Sequence, residues 1–281
     1  MKNKITYIIG RILFWLIRIV IAIYILFPIY WALNSSLKTS NQLMMTPTTF
    51  IPRDPETLEF KPTFENYLIV FQSKQYLTGL LNSVLVASST TGLALLIGSL
   101  GAFALGKLRF RGKTPTLYVI LSMTMFPQVA VLTGLYAIVR FLRIPAIPSM
   151  ILSYMLFTLP FTTWVLTAFF KGLPIEIMQA ARVDGATPIE TFRMILLPLS
   201  APALISTGLL AFINAWNEYL FALVFTAIEP DARTVTVAVA FFGSTFTSQS
   251  VAAAVVTTIP AVILVSIFQK RISAGITSIA K

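Results

Sequence analysis

The sequence predicts an all-α membrane protein with six transmembrane helices, and three observations carry that expectation. Of its 281 residues, 57% are hydrophobic and only 11% are charged, where a soluble domain carries about 25% charged residues. Six stretches are mainly apolar: 12–33, 77–105, 117–139, 150–170, 199–223 and 251–268. Each is close to the ~20 residues that a helix needs to cross the hydrocarbon layer. Finally, the basic residues that give the net charge of +11 fall, apart from Arg18, between or beside these stretches. They form no stripe, so the charge reads as membrane topology and no nucleic-acid partner is expected. The partner that this composition demands is a lipid bilayer.

The residue types that are missing exclude whole classes of chemistry. With no Cys and no His, there is no disulfide framework, thiol nucleophile, imidazole base or zinc-binding HExxH motif. The expectation is a non-enzymatic chain with no catalytic residues, no metal and no cofactor of its own.

The first span is too long for the apolar core of a cleavable signal peptide, and Phe27-Pro28-Ile29-Tyr30-Trp31 offers no small-residue cleavage site. Arg18 within it can snorkel to the interface. A loop of about forty residues follows, holding Pro47, Pro52, Pro55 and Pro62. It should be irregular apart from a short helix near 64–71.

Span two carries Ala94, Gly98, Ala102 and Gly106, a small residue at every fourth position. Such a stripe admits the backbone of another helix, first of all one within the same chain, although it could also border a pore. The run Gly101 to Leu108 nearly spells a phosphate-binding loop. It ends in Leu108 where a hydroxyl must reach Mg²⁺, and it closes an apolar span, so no ATP site is expected here.

The connection between spans four and five, about 171–198, is the most informative segment. Pro174 suits a first helical position, and Glu176 complements the helix N-terminus. Gly185 can take the left-handed conformation that ends the helix. Thr187-Pro188-Ile189-Glu190 reads as a capping box, and Pro198 restarts the chain into span five. Ala180 and Ala181 leave the first helix slim. The result is a rigid helix–turn–helix, either a simple joining hairpin or a knuckle that enters a groove on another protein.

In span five, Asn214, Asn217 and Glu218 fall at i, i+3 and i+4, on one helical face, with Trp216 and Tyr219 beside them in the chain. An intramembrane carboxylate is costly and faces protein or water. The group is either a hydrogen-bonded knot between helices or part of a translocation path, to which Asn82 and Gln128 are further candidates.

Six spans place both termini on one side. If that side is the cytoplasm, thirteen basic residues lie inside, Lys281 among them, and seven outside. The positive-inside rule therefore puts both termini in the cytoplasm, the 171–198 loop inside and the 38–74 loop outside.

Gln179-Ala180-Ala181, three residues, Gly185, nine residues, then Ile195-Leu196-Leu197-Pro198 resembles the EAA loop of type I ABC importer permeases. Gln179 stands where that family usually has Glu. Further matches are Pro28-Ile29-Tyr30-Trp31 followed by Ser35-Ser36-Leu37-Lys38, then Asn66-Tyr67, Asn82-Ser83 and the run from Phe212 to Tyr219. These resemble the carbohydrate branch, in particular the six-span second permease of maltose importers.

The resemblance implies a transport core over 76–270, preceded by a segment 1–75 with the first helix and outer loop, and followed by a tail 271–281. It also implies that Glu176, Gln179, Ala180, Ala181, Asp184, Gly185, Thr187 and Pro198 couple the chain to ATPases. The implied partners are a second permease in a heterodimer, two ATP-binding-cassette subunits that hold ATP and Mg, and an extracytoplasmic solute-binding protein. The place is a bacterial inner membrane and the cargo a sugar or sugar-like solute. Rivals are a permease for another small solute, such as a glycerol phosphate ester or polyamine, and an ion-coupled secondary transporter.

Overall fold

The computed structural model describes residues 2–242 and 247–279; Lys281, counted above among the inner basic residues, lies outside them. The helices in chain order begin with α1 (Lys2–Ser36), α2 (Ser40–Leu43), α3 (Glu65–Gln72) and α4 (Lys74–Lys107). Then come α5 (Lys113–Thr124), α6 (Gln128–Leu142), α7 (Ala146–Gly172) and α8 (Glu176–Val183). Next are α9 (Pro188–Thr191), a π turn (Phe192–Leu196), α10 (Leu197–Leu199) and α11 (Ala201–Trp216). The last are α12 (Leu220–Phe225), α13 (Val235–Ala240) and α14 (Ser248–Ile279).

Among the described residues, four helical stretches are long and apolar enough to cross a membrane alone: Gly10–Ser36, Lys74–Lys107, Ala146–Gly172 and Ser248–Phe268. Two bent pairs bring the number to six if each is one span. The third expected span is therefore not one straight helix. It breaks between Thr124 and Gln128 with a bend of 94°, at Pro127, which supplies no N–H and restricts Phe126 before it. The fifth is displaced in a similar way. Pro198 does not restart the chain, because helix runs from Pro188 to Leu199. The bend of 77° comes at Ser200, and α11 begins at Ala201.

The chain forms two compact units, Met1–Tyr76 with Val239–Thr257 and Leu77–Ala238 with Thr258–Lys281. In the first unit the outer loop is more ordered than its prolines suggest. Lys38 is fully buried, its Nζ donating to the Thr49 carbonyl and lying 5.4 Å from the Trp31 ring centroid. Loss of water pushes its pKa down. Asn66 Nδ2 donates to the Ser36 and Lys38 carbonyls at 2.8 and 2.9 Å, and its Oδ1 accepts from Ser248 Oγ at 3.0 Å. The Ser-Ser-Leu-Lys and Asn-Tyr motifs are thus one hydrogen-bonded clasp. The short helix expected near 64–71 forms as α3. Farther out, Lys61 Nζ lies 2.7 Å from Asp54 Oδ2, which holds the Asp54 pKa down to about 2.

In the second unit α7 is the central helix, packed by α5, α11 and α12. The small-residue stripe of α4 serves this packing. A Cβ on Gly106 would come 2.8 Å from Phe170 Cβ, and one on Gly98 would come 3.0 Å from Thr162 Cγ2. Larger residues there would push α4 off α7, so the stripe closes an interface within the chain.

Candidate functional site

Two sites emerge, at opposite ends of α11. At the first, the 171–200 segment folds as a capped knuckle. Pro174 lies two residues ahead of α8 and not at its first position, while Glu176 does occupy the first turn. Gly185 ends α8 at φ +81°, with Gly185 N–H donating to Arg182 O at 3.1 Å and Ala186 N–H to Ala181 O at 2.9 Å. Those two bonds make a complete Schellman motif. At Thr187, Glu190 N–H donates to Thr187 Oγ1 at 3.4 Å, and Glu190 Oε2 accepts from Thr187 N–H at 2.8 Å. Pro188 takes the first helical position, completing the capping box.

One face of the knuckle packs inward. Met178, Phe192 and Leu196 join Ala102 and Phe103 of α4, Leu166 and Phe170 of α7 and Ala203 of α11 in a single apolar cluster. Phe192 is ringed by Phe103 at 5.1 Å and Phe170 at 6.3 Å between centroids. This cluster ties α8 to three membrane helices at once.

Ala181 belongs to the inner face as well, at 3% exposure. It therefore departs from the expectation that it slims the outward side. Glu176, Gln179, Ala180, Asp184, Gly185, Thr187 and Pro198 are exposed, and so is Val183 at 87%. A partner would meet these residues, with Ala180 and Val183 as the apolar part.

At the other end, α11 stops at Trp216 and the chain does not become helical again until Leu220. The expected single face of Asn214, Asn217 and Glu218 therefore does not form. Asn217 caps α11, and Glu218 turns away to cap α12. Its Oε1 accepts from Phe221 N–H at 2.9 Å and its Oε2 from Ala222 N–H at 3.1 Å. The carboxylate answers two orphan N–H groups and the positive end of a helix. Glu218 O also accepts from Thr236 Oγ1 at 2.9 Å.

Around this break lies a cavity of about 460 Å³ lined by Gln128, Phe157, Thr158, Asn214, Asn217, Glu218, Tyr219 and Leu220. Gln128 is the first residue after the α5–α6 break, so both breaks open on the same space. Non-helical backbone within a membrane is tolerated only when buried in protein or lining a water-accessible space, and a cavity with polar walls at the two breaks is suited to that second condition. Phe157, Tyr219 and Leu220 provide apolar walls; the three amides provide donors and acceptors.

Two expected members of the path lie elsewhere. Trp216 is 2% exposed and stacks on Phe212 at 5.7 Å. Asn82 Nδ2 donates to the Asp231 and Arg233 carbonyls at 2.8 and 3.0 Å, which makes it a clasp for the 231–233 turn. Phe157 and Thr158, which do line the cavity, gave no signal in the sequence because they sit within an ordinary apolar span. Among the described residues no group of three His, Cys, Asp or Glu side chains is placed to hold a metal ion.

Residues 94–278 match a protein family described as the binding-protein-dependent transport system inner membrane component. The chain belongs to this family. As a permease of that kind it is 38% identical over 261 residues to the trehalose transport system permease protein SugB of Mycobacterium tuberculosis, covering 91% of this chain and 92% of that protein. It is 36% identical over 278 residues to the trehalose/maltose transport system permease protein MalG of Thermococcus litoralis, covering 96% of each. A third relative, at 36% over 257 residues, is the sulfoquinovosyl glycerol transport system permease protein SmoH of Agrobacterium fabrum, with 90% of this chain and 87% of that protein covered. In fold, the permease superposes on a chain from the crystal structure of a bacterial ABC transporter involved in the import of the acidic polysaccharide alginate. The TM-score is 0.75 at 21% identity, over 96% of this chain and 97% of the other. The carbohydrate-branch resemblance read from the motifs agrees with these relatives.

Proposed function

We propose that this permease carries a sugar or glycoside across the bacterial inner membrane as one subunit of an ATP-driven importer. The observation that carries the reading is the cavity at the two helix breaks. It is wide enough for a small glycoside on the scale of ordinary ligand pockets, about 300–1,000 Å³. It also combines amide groups suited to hydroxyls with ring faces suited to sugar carbons. Relatives named for trehalose, maltose and sulfoquinovosyl glycerol support the same solute class.

The knuckle is the coupling element in this reading. Its outer face, with Gln179, Ala180 and Val183, docks in a groove of an ATPase subunit. Closure of that subunit is passed through Met178, Phe192 and Leu196 to α4, α7 and α11. ATP and Mg reside on two such ATPase subunits, and this chain performs no covalent step. A second permease completes the pore as a heterodimer, and an extracytoplasmic binding protein delivers the solute. Both termini and the knuckle face the cytoplasm. Residues 76–270 form the transport core, between the 1–75 segment and the 271–281 tail.

The test is uptake of labelled trehalose or maltose by proteoliposomes that hold the assembled transporter. Asn217→Ala and Gln128→Ala should lower the uptake rate while leaving assembly and basal ATP hydrolysis unchanged. Ala180→Trp should abolish solute-stimulated hydrolysis in a chain that still folds. Ala181→Trp is the wrong probe, because Ala181 is buried within the chain itself. Unimpaired uptake by both cavity variants would remove the cavity from the path.

A further inference from the structure

The turn that joins α4 to α5 carries four cations in seven residues, Lys107-Leu108-Arg109-Phe110-Arg111-Gly112-Lys113. Its two lysines are used internally. Lys107 Nζ donates to the Leu173 carbonyl, and Lys113 Nζ donates to the carbonyls of Gly106 at 3.3 Å and Leu108 at 3.2 Å. Gly112 at φ +90° lets the chain reverse between them. The turn is thus pinned at both ends, and by Lys107 to the residue that precedes the knuckle.

The two arginines are not used. Arg109 and Arg111 are exposed, and neither makes a hydrogen bond or ion pair among the described residues. Phe110 stands between them with 47% of its surface exposed. Lys113 is within electrostatic reach of both Lys107 and Lys171, whereas Glu176 is the acid whose charge acts on Lys107. A rigid turn that concentrates positive charge, with two free guanidinium forks and an aromatic ring between them, is complementary to a phosphate attached to something apolar.

We propose that the 107–113 turn binds the phosphate of an anionic phospholipid, taken by Arg109 and Arg111, with Phe110 seated among the acyl chains. The position selects a lipid over a free anion. The turn connects the end of one apolar helix to the start of another, so it lies at the bilayer surface, where aromatic rings and cations anchor to headgroups. A free phosphate would leave Phe110 without a partner. This inference needs only that α4 and α5 are membrane helices, so it survives if the proposed solute is wrong.

The experiment is native mass spectrometry of the assembled transporter in detergent, titrated with phosphatidylglycerol or phosphatidylcholine. Removing both charges in an Arg109→Gln, Arg111→Gln pair should weaken phosphatidylglycerol binding roughly 30-fold and leave phosphatidylcholine binding unchanged. Arg109→Lys with Arg111→Lys should retain most of the preference. A matched loss of charge at Arg140 and Arg143 should have no effect. If the double variant does not assemble, Arg109→Gln alone should still show a loss of roughly fivefold. Phosphatidylglycerol binding unchanged by the Gln pair would overturn the proposal. So would competition by millimolar inorganic phosphate, which would mark a free-anion site. Loss of ATPase subunits with lipid binding intact would instead assign the turn to a protein contact.

Discussion

The two ends of α11 are built on opposite plans. At its start, the knuckle has a Schellman motif, a capping box and a dry cluster of aromatic and aliphatic side chains reaching three membrane helices. At its end, the helix simply stops, and one carboxylate holds the next short helix across the gap beside an open, polar cavity. The first end is suited to transmit a displacement without absorbing it, since close-packed groups shift as a body. The second is suited to admit a solute, since amide groups and ring faces border a cavity there. Under the proposed coupling, a push on the knuckle would reach the cavity along this one helix.

The largest expected effect comes from softening the dry end. Leu196 is fully buried in the cluster, so Leu196→Ala should cost about 2–5 kcal/mol and leave a void between the knuckle and α7. The purified complex should melt earlier. More tellingly, stimulation of ATP hydrolysis by loaded binding protein should fall further than basal hydrolysis. Equal losses in both would mean that the cluster only stabilises and does not transmit.

At the wet end, Glu218→Ala leaves Phe221 and Ala222 N–H groups without acceptors, which should cost about 1–3 kcal/mol. Glu218→Gln keeps one acceptor oxygen and loses the charge at the helix end, so it should be milder. Uptake measured for both variants, against melting of the complex, separates a cap from a solute contact. A cap predicts that Ala is worse than Gln in stability and in uptake alike, whereas a solute contact predicts Gln losing uptake with its stability intact.

These two ends also differ in how far the sequence reveals them. Gly185, Thr187, Pro188 and Glu190 act on neighbours three or four residues away, so their spacing alone foretells the turn and the box. The cavity depends on where helices end, and those ends are set by tertiary contacts. Asn214, Asn217 and Glu218 have ideal helical spacing, yet the helix ends at Trp216 and the Glu218 carboxylate accepts from N–H groups of α12. Pro127 breaks the 117–139 run, whose apolar composition alone reads as one straight span. Phe157 and Thr158 carry no mark in the sequence, since their role arises only when α7 passes the two breaks. Lys38 and Asn66 stand between these cases: their motifs were legible, but not that the Asn66 side chain binds the Ser36 and Lys38 carbonyls.

Returning to the dry end, Gly185→Val forces a β-branched residue into the left-handed region, at about 1–2 kcal/mol. No side chain crowds the site, because nothing lies within 4 Å of a Cβ built there. The whole penalty is therefore backbone strain at the bend of the knuckle. Assembly should survive, and coupling between solute delivery and ATP hydrolysis should weaken. If Gly185→Val couples as well as the parent, the angle between α8 and α9 is not what the ATPase reads.

The smallest effect belongs to Thr187→Ala. It removes the Oγ1 that accepts from Glu190 N–H at 3.4 Å and donates to Glu190 Oε2 at 2.6 Å. The reciprocal bond from Thr187 N–H to Glu190 Oε2 at 2.8 Å uses the backbone and remains. Half of the capping box is left, Pro188 still presets the first turn, and the site is exposed, so water can replace the lost acceptor. The cost should stay near the usual ~1 kcal/mol for losing a cap. Because the apolar cluster and not the cap holds the knuckle to the membrane helices, solute-stimulated hydrolysis should remain close to that of the parent. A Thr187→Ala complex that uncouples as severely as Leu196→Ala would reverse the comparison, placing the stiffness of the knuckle in its caps and not in its core.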